Sequence, residues 1–188
     1  MNVDIKQSVK LTGQRITLTP FDHSDFALFA EMAMCPQMMK HIAAVATYQQ
    51  AKAAFDIKCR LWSADTDNWL SFGIADIHTG EKLGNIGLKI IDQQHKIAET
   101  GFMLKQAAQG RGIAAEALML LTEYAFTTLQ LTKLVAICSV DNVGSIRLLE
   151  KSGFSRERFL PQNTRINNLP VDDYLYGLVN SKLVDSCL

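Results

Sequence analysis

The sequence predicts a mixed α/β (α+β) fold in one domain, and three observations carry that reading. Three strand-like segments joined by short polar turns occupy residues 69–104, a one-sided apolar helix follows a glycine-containing loop, and a nearly continuous apolar strand comes directly after that helix. Strands linked by tight turns pair antiparallel, whereas a strand–helix–strand connection lays its two strands parallel, so the sheet has to be mixed. A chain of 188 residues, 48% hydrophobic and 20% charged, has the size and composition of a globular domain with ample core.

Taken in order, residues 1–13 read as a loose arm. Arg15-Ile16-Thr17-Leu18-Thr19 alternates and is rich in β-branched residues, a first strand ending at Pro20. Asp22 or Ser24 caps a helix through Phe26, Leu28, Phe29 and Met32, which Pro36 breaks; a short helical turn spans 38–42. Thr47 is an N-cap for a helix whose apolar positions are Ala51, Ala54, Phe55, Ile57, Leu61 and Trp62, closed by the polar turn 65–68. The period then changes. Strands at 69–75, 83–91 and 96–104 form an antiparallel meander, and Gly84 and Gly87 inside the middle strand mark a bulge or a close backbone approach.

Residues 113–129 form the clearest helix, with Ala114, Ala117, Leu118, Leu121, Ala125 and Leu129 on one side. The apolar run 133–139 reads as a strand buried on both faces, parallel to its neighbour across the helix. Asn142 caps a further helix, with Ile146, Leu149 and Glu150 on one face, and Gly153 stands where a left-handed C-cap is expected. Strands at 154–160 and 171–179 flank a long polar loop, 161–170.

Charge and cysteine usage narrow the function. Nineteen basic and nineteen acidic residues balance to a formal net charge of zero, without a Lys/Arg-rich run. That argues against nucleic acid as a partner, because phosphate-backbone binding needs a basic surface. Cys35, Cys59, Cys138 and Cys187 are scattered, without metal-ligand spacing, and read as reduced, mostly buried thiols; no metal is expected. No apolar run reaches membrane-spanning length and residues 1–10 lack a signal-peptide core, so no membrane association and a cytoplasmic location are the expectation.

The loop Gln109-Gly110-Arg111-Gly112-Ile113-Ala114 opens the clearest helix. A helix N-terminus leaves backbone N–H groups unpaired and carries partial positive charge, and glycines before it let an anion approach the main chain. An ordinary glycine-containing strand-to-helix loop is the plain alternative. A Walker-type loop is excluded because Ile113-Ala114 stand where Lys-Ser/Thr is needed. Gly110-x-Gly112-x-x-Ala115 fits a dinucleotide fingerprint, but Asp141 lies about thirty positions beyond the loop instead of about twenty, and the loop comes late, after an antiparallel meander.

Gln109-x-x-Gly112-x-Ala114 resembles the Gln/Arg-x-x-Gly-x-Gly/Ala signature of the GNAT superfamily of N-acetyltransferases. Ala98-Glu99-Thr100-Gly101-Phe102-Met103-Leu104 resembles that superfamily's fourth strand, and Asn142-x-x-Ser145-x-x-Leu148-Leu149-Glu150-Lys151-x-Gly153-Phe154 its second half. The opening Thr12-Gly13-Gln14-Arg15-Ile16-Thr17-Leu18 and the closing Val171-Asp172-Asp173-Tyr174-Leu175-Tyr176-Gly177-Leu178 are similar to the branch that acetylates ribosomal-protein N-termini. The likeness spans about residues 11–180.

The resemblance implies a mostly antiparallel central sheet of about seven strands flanked by helices, with the family's fourth and fifth strands splayed. It implies acetyl transfer from acetyl-CoA, as co-substrate, to an amine acceptor, by a monomer or homodimer. The pantetheine arm would pair with Phe102, Met103 and Leu104, and the pyrophosphate would lie on Gln109, Gly110, Arg111, Gly112, Ile113 and Ala114. Arg147 and Lys151, four apart on one helix face, are candidates for the adenosine 3′-phosphate or form a solvated basic face.

Attack by a neutral amine on a thioester needs a proton acceptor, an oxyanion donor and, for the leaving thiolate, a proton. Glu99 is the base candidate, with a solvent-facing strand glutamate as the plain reading, and a backbone N–H near Met103 or Leu104 is the oxyanion donor. Many relatives carry a tyrosine acid seven residues after the motif's asparagine; here that position is Leu149, leaving Ser145 as the hydroxyl, with Asn142 positioning it or the pantetheine. Asn142 as a bare N-cap and Ser145 as a first-turn serine is the alternative. His23, His41, His78 and His95 read as surface or turn residues, while Trp62, Trp69, Met38 and Met39 belong to the region that shapes the family's acceptor cleft or simply pack the core. A non-catalytic acyl-CoA-binding protein on the same fold is the competing whole-protein reading.

Overall fold

The computed structural model describes residues 9–181. Strand β1 (Leu11–Thr12) pairs antiparallel with β2 (Ile16–Pro20), so part of the expected loose arm is sheet edge, and residues 1–8 lie outside the described chain. Asp22 accepts from Ser24 N and Asp25 from Asp22 N, a reciprocal cap that turns the chain into α1 (Phe26–Ala33). Pro36 ends one helix and opens the next, sitting at the start of α2 (Pro36–Met39), where its missing N–H costs nothing. A second capping box starts α3 (Tyr48–Lys58): Gln50 N donates to Thr47 Oγ1 at 3.3 Å and Thr47 N to Gln50 Oε1 at 2.8 Å.

α3 stops earlier than the apolar pattern suggests. Its only buried residues are Ala51 and Phe55; Ala54, Ile57 and Leu61 face outward, and Trp62 lies past the helix end in the main core. Trp62 is held there by donation from its indole Nε1 to Asn68 O, 3.0 Å. Phe55 packs instead with Phe21 and Phe29, centroids 5.4 and 5.5 Å away, in a small aromatic cluster.

The meander is β3 (Leu70–Asp76), β4 (Lys82–Asp92) and β5 (Ile97–Leu104). Both readings of the β4 glycines hold. The register slips between Ile74 and Ala75, and a Cβ on Gly84 would collide with the Met103 carbonyl oxygen. α4 (Ile113–Thr127) crosses to β6 (Lys133–Ser139), and α5 (Val143–Lys151) ends at Gly153, φ +87°, with Phe154 N donating to Leu149 O.

The expected loop at 161–170 does not exist as such. β7 (Ser155–Ile166) and β8 (Leu169–Val179) form one long hairpin that turns at Asn167 and Asn168, φ 51° and 65°. Asparagine tolerates the left-handed region that a two-residue hairpin turn requires, so the turn was present in the sequence but hidden among polar residues.

One eight-stranded sheet results, in the order β1-β2-β3-β4-β5-β6-β8-β7, one strand more than the resemblance suggests. Only β5 and β6 are parallel. α4 packs against β1, β2, β4 and β5, burying Ala117, Leu118, Leu121 and Ala125 on the main core. The thiols are less buried than expected: Cys35 and Cys59 are half-buried, Cys138 is buried, and Cys187 lies outside the described residues.

The close approach in the meander predicts a steep penalty for a single methyl group. A Cβ at Gly87 would lie 2.5 Å from Leu70 O, so Gly87→Ala should cost about 1–3 kcal/mol. A lowered urea midpoint with unchanged slope would show this; a wild-type midpoint would contradict the contact.

Candidate functional site

The site begins where the sheet comes apart. β5 and β6 pair only at Ile97↔Lys133, Ala98↔Leu134 and Glu99↔Val135. Beyond that, β5 follows β4 as far as Leu104, and β6 follows β8 as far as Ser139. Lys105 N donates to Leu83 O at 2.8 Å. Strand alternation therefore turns the main-chain groups of Phe102 and Leu104 away from β4 and into the gap. The Leu104 carbonyl receives Gln109 Nε2 at 3.1 Å, which ties the strand end to the following loop. Ile137, 41% exposed in an otherwise buried strand, shows how far the gap opens β6.

Two clefts meet at this gap, of about 460 Å³ on the sheet side and about 570 Å³ on the loop side. Both are bordered by His41, Ile42, Phe102, Met103, Asn142 and Ser145.

The loop-side cleft is built on left-handed glycines. Gly110 and Gly112 have φ of 72° and 77°, and Gly112 precedes α4 without a side-chain cap. Glu116 N donates to Gly112 O, so the N–H groups of Ile113, Ala114 and Ala115 have no intrahelical partner. Arg15, about a hundred residues upstream, draws the carbonyls to the other side: Nη1 donates to Arg111 O at 2.7 Å and Nη2 to Gly112 O at 3.2 Å. Its Nε and backbone N each donate to Glu116 at 2.8 Å. Burial alone would push the Glu116 pKa up, but the Arg15 hydrogen bonds and charge, with help from Gln14 N–H, outweigh it and hold the carboxyl below its ordinary range. Main-chain donors toward the cleft and carbonyls toward Arg15 make a surface suited to a phosphate group. Arg147 and Lys151 line the same cleft, whereas Arg111 is exposed and engages Arg15 only through its carbonyl.

The sheet-side cleft holds Glu99, Cys138 and Asp173. Burial raises the Glu99 pKa, offset in part by Lys89, its cross-strand partner. Lys89 is also paired with Asp67 at 2.7 Å. Asn85 Oδ1 is buried on this wall without a hydrogen-bond partner. Asn142 Oδ1 accepts from Ser145 N at 3.2 Å, so the asparagine is an N-cap and lines the cleft at once. Burial and the charge of Asp173 push the Cys138 thiol pKa up to about 11, offset in part by Ser145. A thiol so placed is no nucleophile. Asp173 accepts from Asn163 Nδ2 at 2.9 Å. Leu149, the position at which the resemblance implies a tyrosine in many relatives, is 1% exposed and lines the cleft.

Most residues singled out in the sequence converge here. Glu99, Phe102, Met103, Asn142 and Ser145 line the sheet-side cleft; Leu104, Gln109, Gly110, Gly112, Ile113 and Ala114 line the other. Trp69, Met38 and Met39 border the clefts, but Trp62 does not. His41 is a turn residue as expected and also borders both clefts, while His23, His78 and His95 are exposed. Arg15, Lys58, Asn85, Cys138 and Asp173 were missed as site residues; each depends on long-range pairing, and no local pattern marks them.

Comparison with known proteins agrees with this geometry. The family profile described as "Acetyltransferase (GNAT) domain" matches residues 15–155. The chain is 26% identical over 170 residues, 90% of this chain and 95% of the other, to an uncharacterized N-acetyltransferase p20 of Bacillus licheniformis. It is 32% identical over 106 residues, 56% of this chain and 57% of the other, to the ribosomal-protein-serine acetyltransferase of Escherichia coli. The crystal structure of spermidine N-acetyltransferase from Vibrio cholerae in complex with CoA and spermine superposes with a TM-score of 0.79 at 21% identity, covering 92% and 99% of the two chains.

The Arg15–Glu116 contact predicts acid sensitivity. Glu116 has a depressed folded-state pKa, so its stabilisation is complete above the unfolded value of about 4.3 and fades as pH falls through the folded one. Glu116→Gln should lower unfolding free energy at neutral pH by about 1–3 kcal/mol and flatten the decline below about pH 4.3. Equal acid slopes in denaturation of both proteins would count against the contact.

Proposed function

Since the chain belongs to the GNAT acetyltransferase family, we propose that it carries an acetyl group from acetyl-CoA to a primary amine, on a protein N-terminus or a small molecule, by direct attack of the amine on the thioester. The observation that carries this reading is the open edge of β5, which runs from a nest of main-chain donors at Gly110 and Gly112 to a carboxyl of raised pKa at Glu99. The matched relatives support the same class: one is named for the serine of a ribosomal protein, and the matched Vibrio cholerae structure for spermidine, which bears primary amines. That structure's bound CoA supports acetyl-CoA as co-substrate.

The thioester supplies an activated acetyl group; this chain's residues supply the rest. Phe102 offers a free strand edge to the pantetheine, and the loop from Gln109 to Ala114 offers its N–H groups to the pyrophosphate. Arg147 and Lys151 line the same cleft, in reach of a further phosphate. Glu99 takes the proton of the amine; its raised pKa makes it a better base toward an ammonium than an ordinary surface glutamate. Strand alternation favours the Leu104 N–H over that of Met103 as oxyanion donor. Ser145 is the hydroxyl available to the leaving sulfur, with Asn142 fixing the turn that holds it. A thiolate of ordinary pKa about 8.5 needs little protonation, which makes Leu149 in place of a tyrosine tolerable.

CoA and acetyl-CoA should each raise the melting temperature, and acetyl-CoA with an accepted amine should release thiol; absence of any thermal shift would sink the proposal. Glu99→Gln should lower kcat/KM by about 10²–10⁴-fold, and Ser145→Ala by about tenfold or less. The base acts deprotonated, so kcat/KM rises with pH through the Glu99 pKa. Lys89→Met removes the charge that holds that pKa down and should move the acid limb to higher pH. An unmoved limb in the pH–rate profile would remove Glu99 from the role.

A further inference from the structure

Lys58, the last residue of α3, reaches into the sheet-side cleft and places its Nζ 5.1 Å from the centre of the Trp69 ring. Five other lysines, Lys52, Lys82, Lys89, Lys105 and Lys133, each meet a carboxylate within 3.0 Å. Lys58 has none among the described residues, and burial pushes its pKa down without a compensating charge. An ammonium partly withdrawn from water without an anion loses hydration, and an aromatic face recovers only a small part of that. The same cleft carries a group of opposite charge, Glu99, suited to an amine.

We infer that the acceptor is an amine that also carries a carboxylate, bound with its amino group at Glu99 and its carboxylate on Lys58. This rests on the acetyl-transfer reading of the same cleft. One fixed cation matches one monoanion, and the walls supplied by Phe29, Met39 and Ile137 favour an apolar side chain beside the two charged groups. The ligand class is therefore an apolar amino acid. A polyamine would meet Lys58 as a like charge and gain nothing there. In the reaction the amine nitrogen bonds to the acetyl carbon, the carbon–sulfur bond breaks, the amine proton goes to Glu99, and sulfur leaves with the bonding pair as a thiolate that takes a proton from solvent by way of the Ser145 hydroxyl.

The test uses product binding, so it does not depend on turnover. The CoA-loaded protein is titrated calorimetrically with N-acetyl-methionine, N-acetyl-leucine and N-acetyl-phenylalanine, and with the C-terminal amide of each. At least one acid should bind about tenfold or more tightly than its amide, the gain of a charge-assisted hydrogen bond. Lys58→Met should erase that difference and Lys58→Arg should retain it. In turnover the free amino acid should outrun its amide and spermidine, with the difference in KM. The CoA-induced rise in melting temperature reports separately that each variant is folded and that the acetyl-donor half works. If CoA binds but acid and amide bind alike, if none of the six compounds binds, or if Lys58→Met keeps the preference, the inference is overturned. If CoA does not bind the wild type, the acetyl-transfer reading fails and this inference falls with it.

Discussion

Everything functional in this molecule depends on a parallel pair that does not stay together. β5 is committed to β4 over its whole length, and β6 is committed to β8 from Lys133 to Ser139. Each strand is thus anchored to its outer neighbour, and the inner pairing lasts three residues. Unpaired strand edges inside a protein are costly unless something pairs with them. Here the unpaired groups of Phe102 and Leu104 face a gap wide enough for an extended ligand. The same divergence exposes Ile137 on an otherwise buried strand and joins the two clefts. The glycines of β4 support this arrangement from behind, since any side chain at Gly84 would drive β5 out of register.

The Arg15–Glu116 contact turns a flexible glycine loop into a preorganised one. Gly110 and Gly112 are free to adopt positive φ, but that freedom alone leaves peptide orientation open. Arg15 closes the question by occupying two carbonyls with one guanidinium while its own charge is balanced by Glu116. Half-exposed on one side and buried on the other, the pair is better placed than a surface salt bridge, because Glu116 is also fixed by the Arg15 main chain. An anion then meets N–H groups already aimed at it, so little ordering is left to binding.

Electrostatics divide the sheet-side cleft into poles. Burial raises the Glu99 pKa, and Lys89 limits how far it rises. Cys138 moves the opposite way in usefulness, locked as a thiol by burial and by Asp173. Lys58 is the cation of the cleft whose charge no carboxylate of the described chain balances. On the proposed reading, the cleft wall treats amines and anions differently, which gives a physical basis for selecting among acceptors.

Local chemistry was legible from the sequence wherever a feature depends on residues within about four positions of one another. The capping box of Thr47 and Gln50, the Asn142 cap, the left-handed Gly153 and the glycine loop before α4 all belong to that class, as do the strands of the meander. The Asn167–Asn168 turn was written in the chain too, but its flanking strands are polar because β7 lies at a sheet edge and has no buried face to impose alternation. The apolar spacing that suggested a longer α3 was misleading because Trp62 serves a different core from Phe55. What only the tertiary structure decided is how far β5 and β6 stay paired, that Arg15 reaches Arg111 and Gly112, and that Lys58 and Asn85 face the same cleft as Glu99. Those facts are set by sheet register and packing between segments far apart in the chain, and residues so separated leave no mark on each other's local sequence.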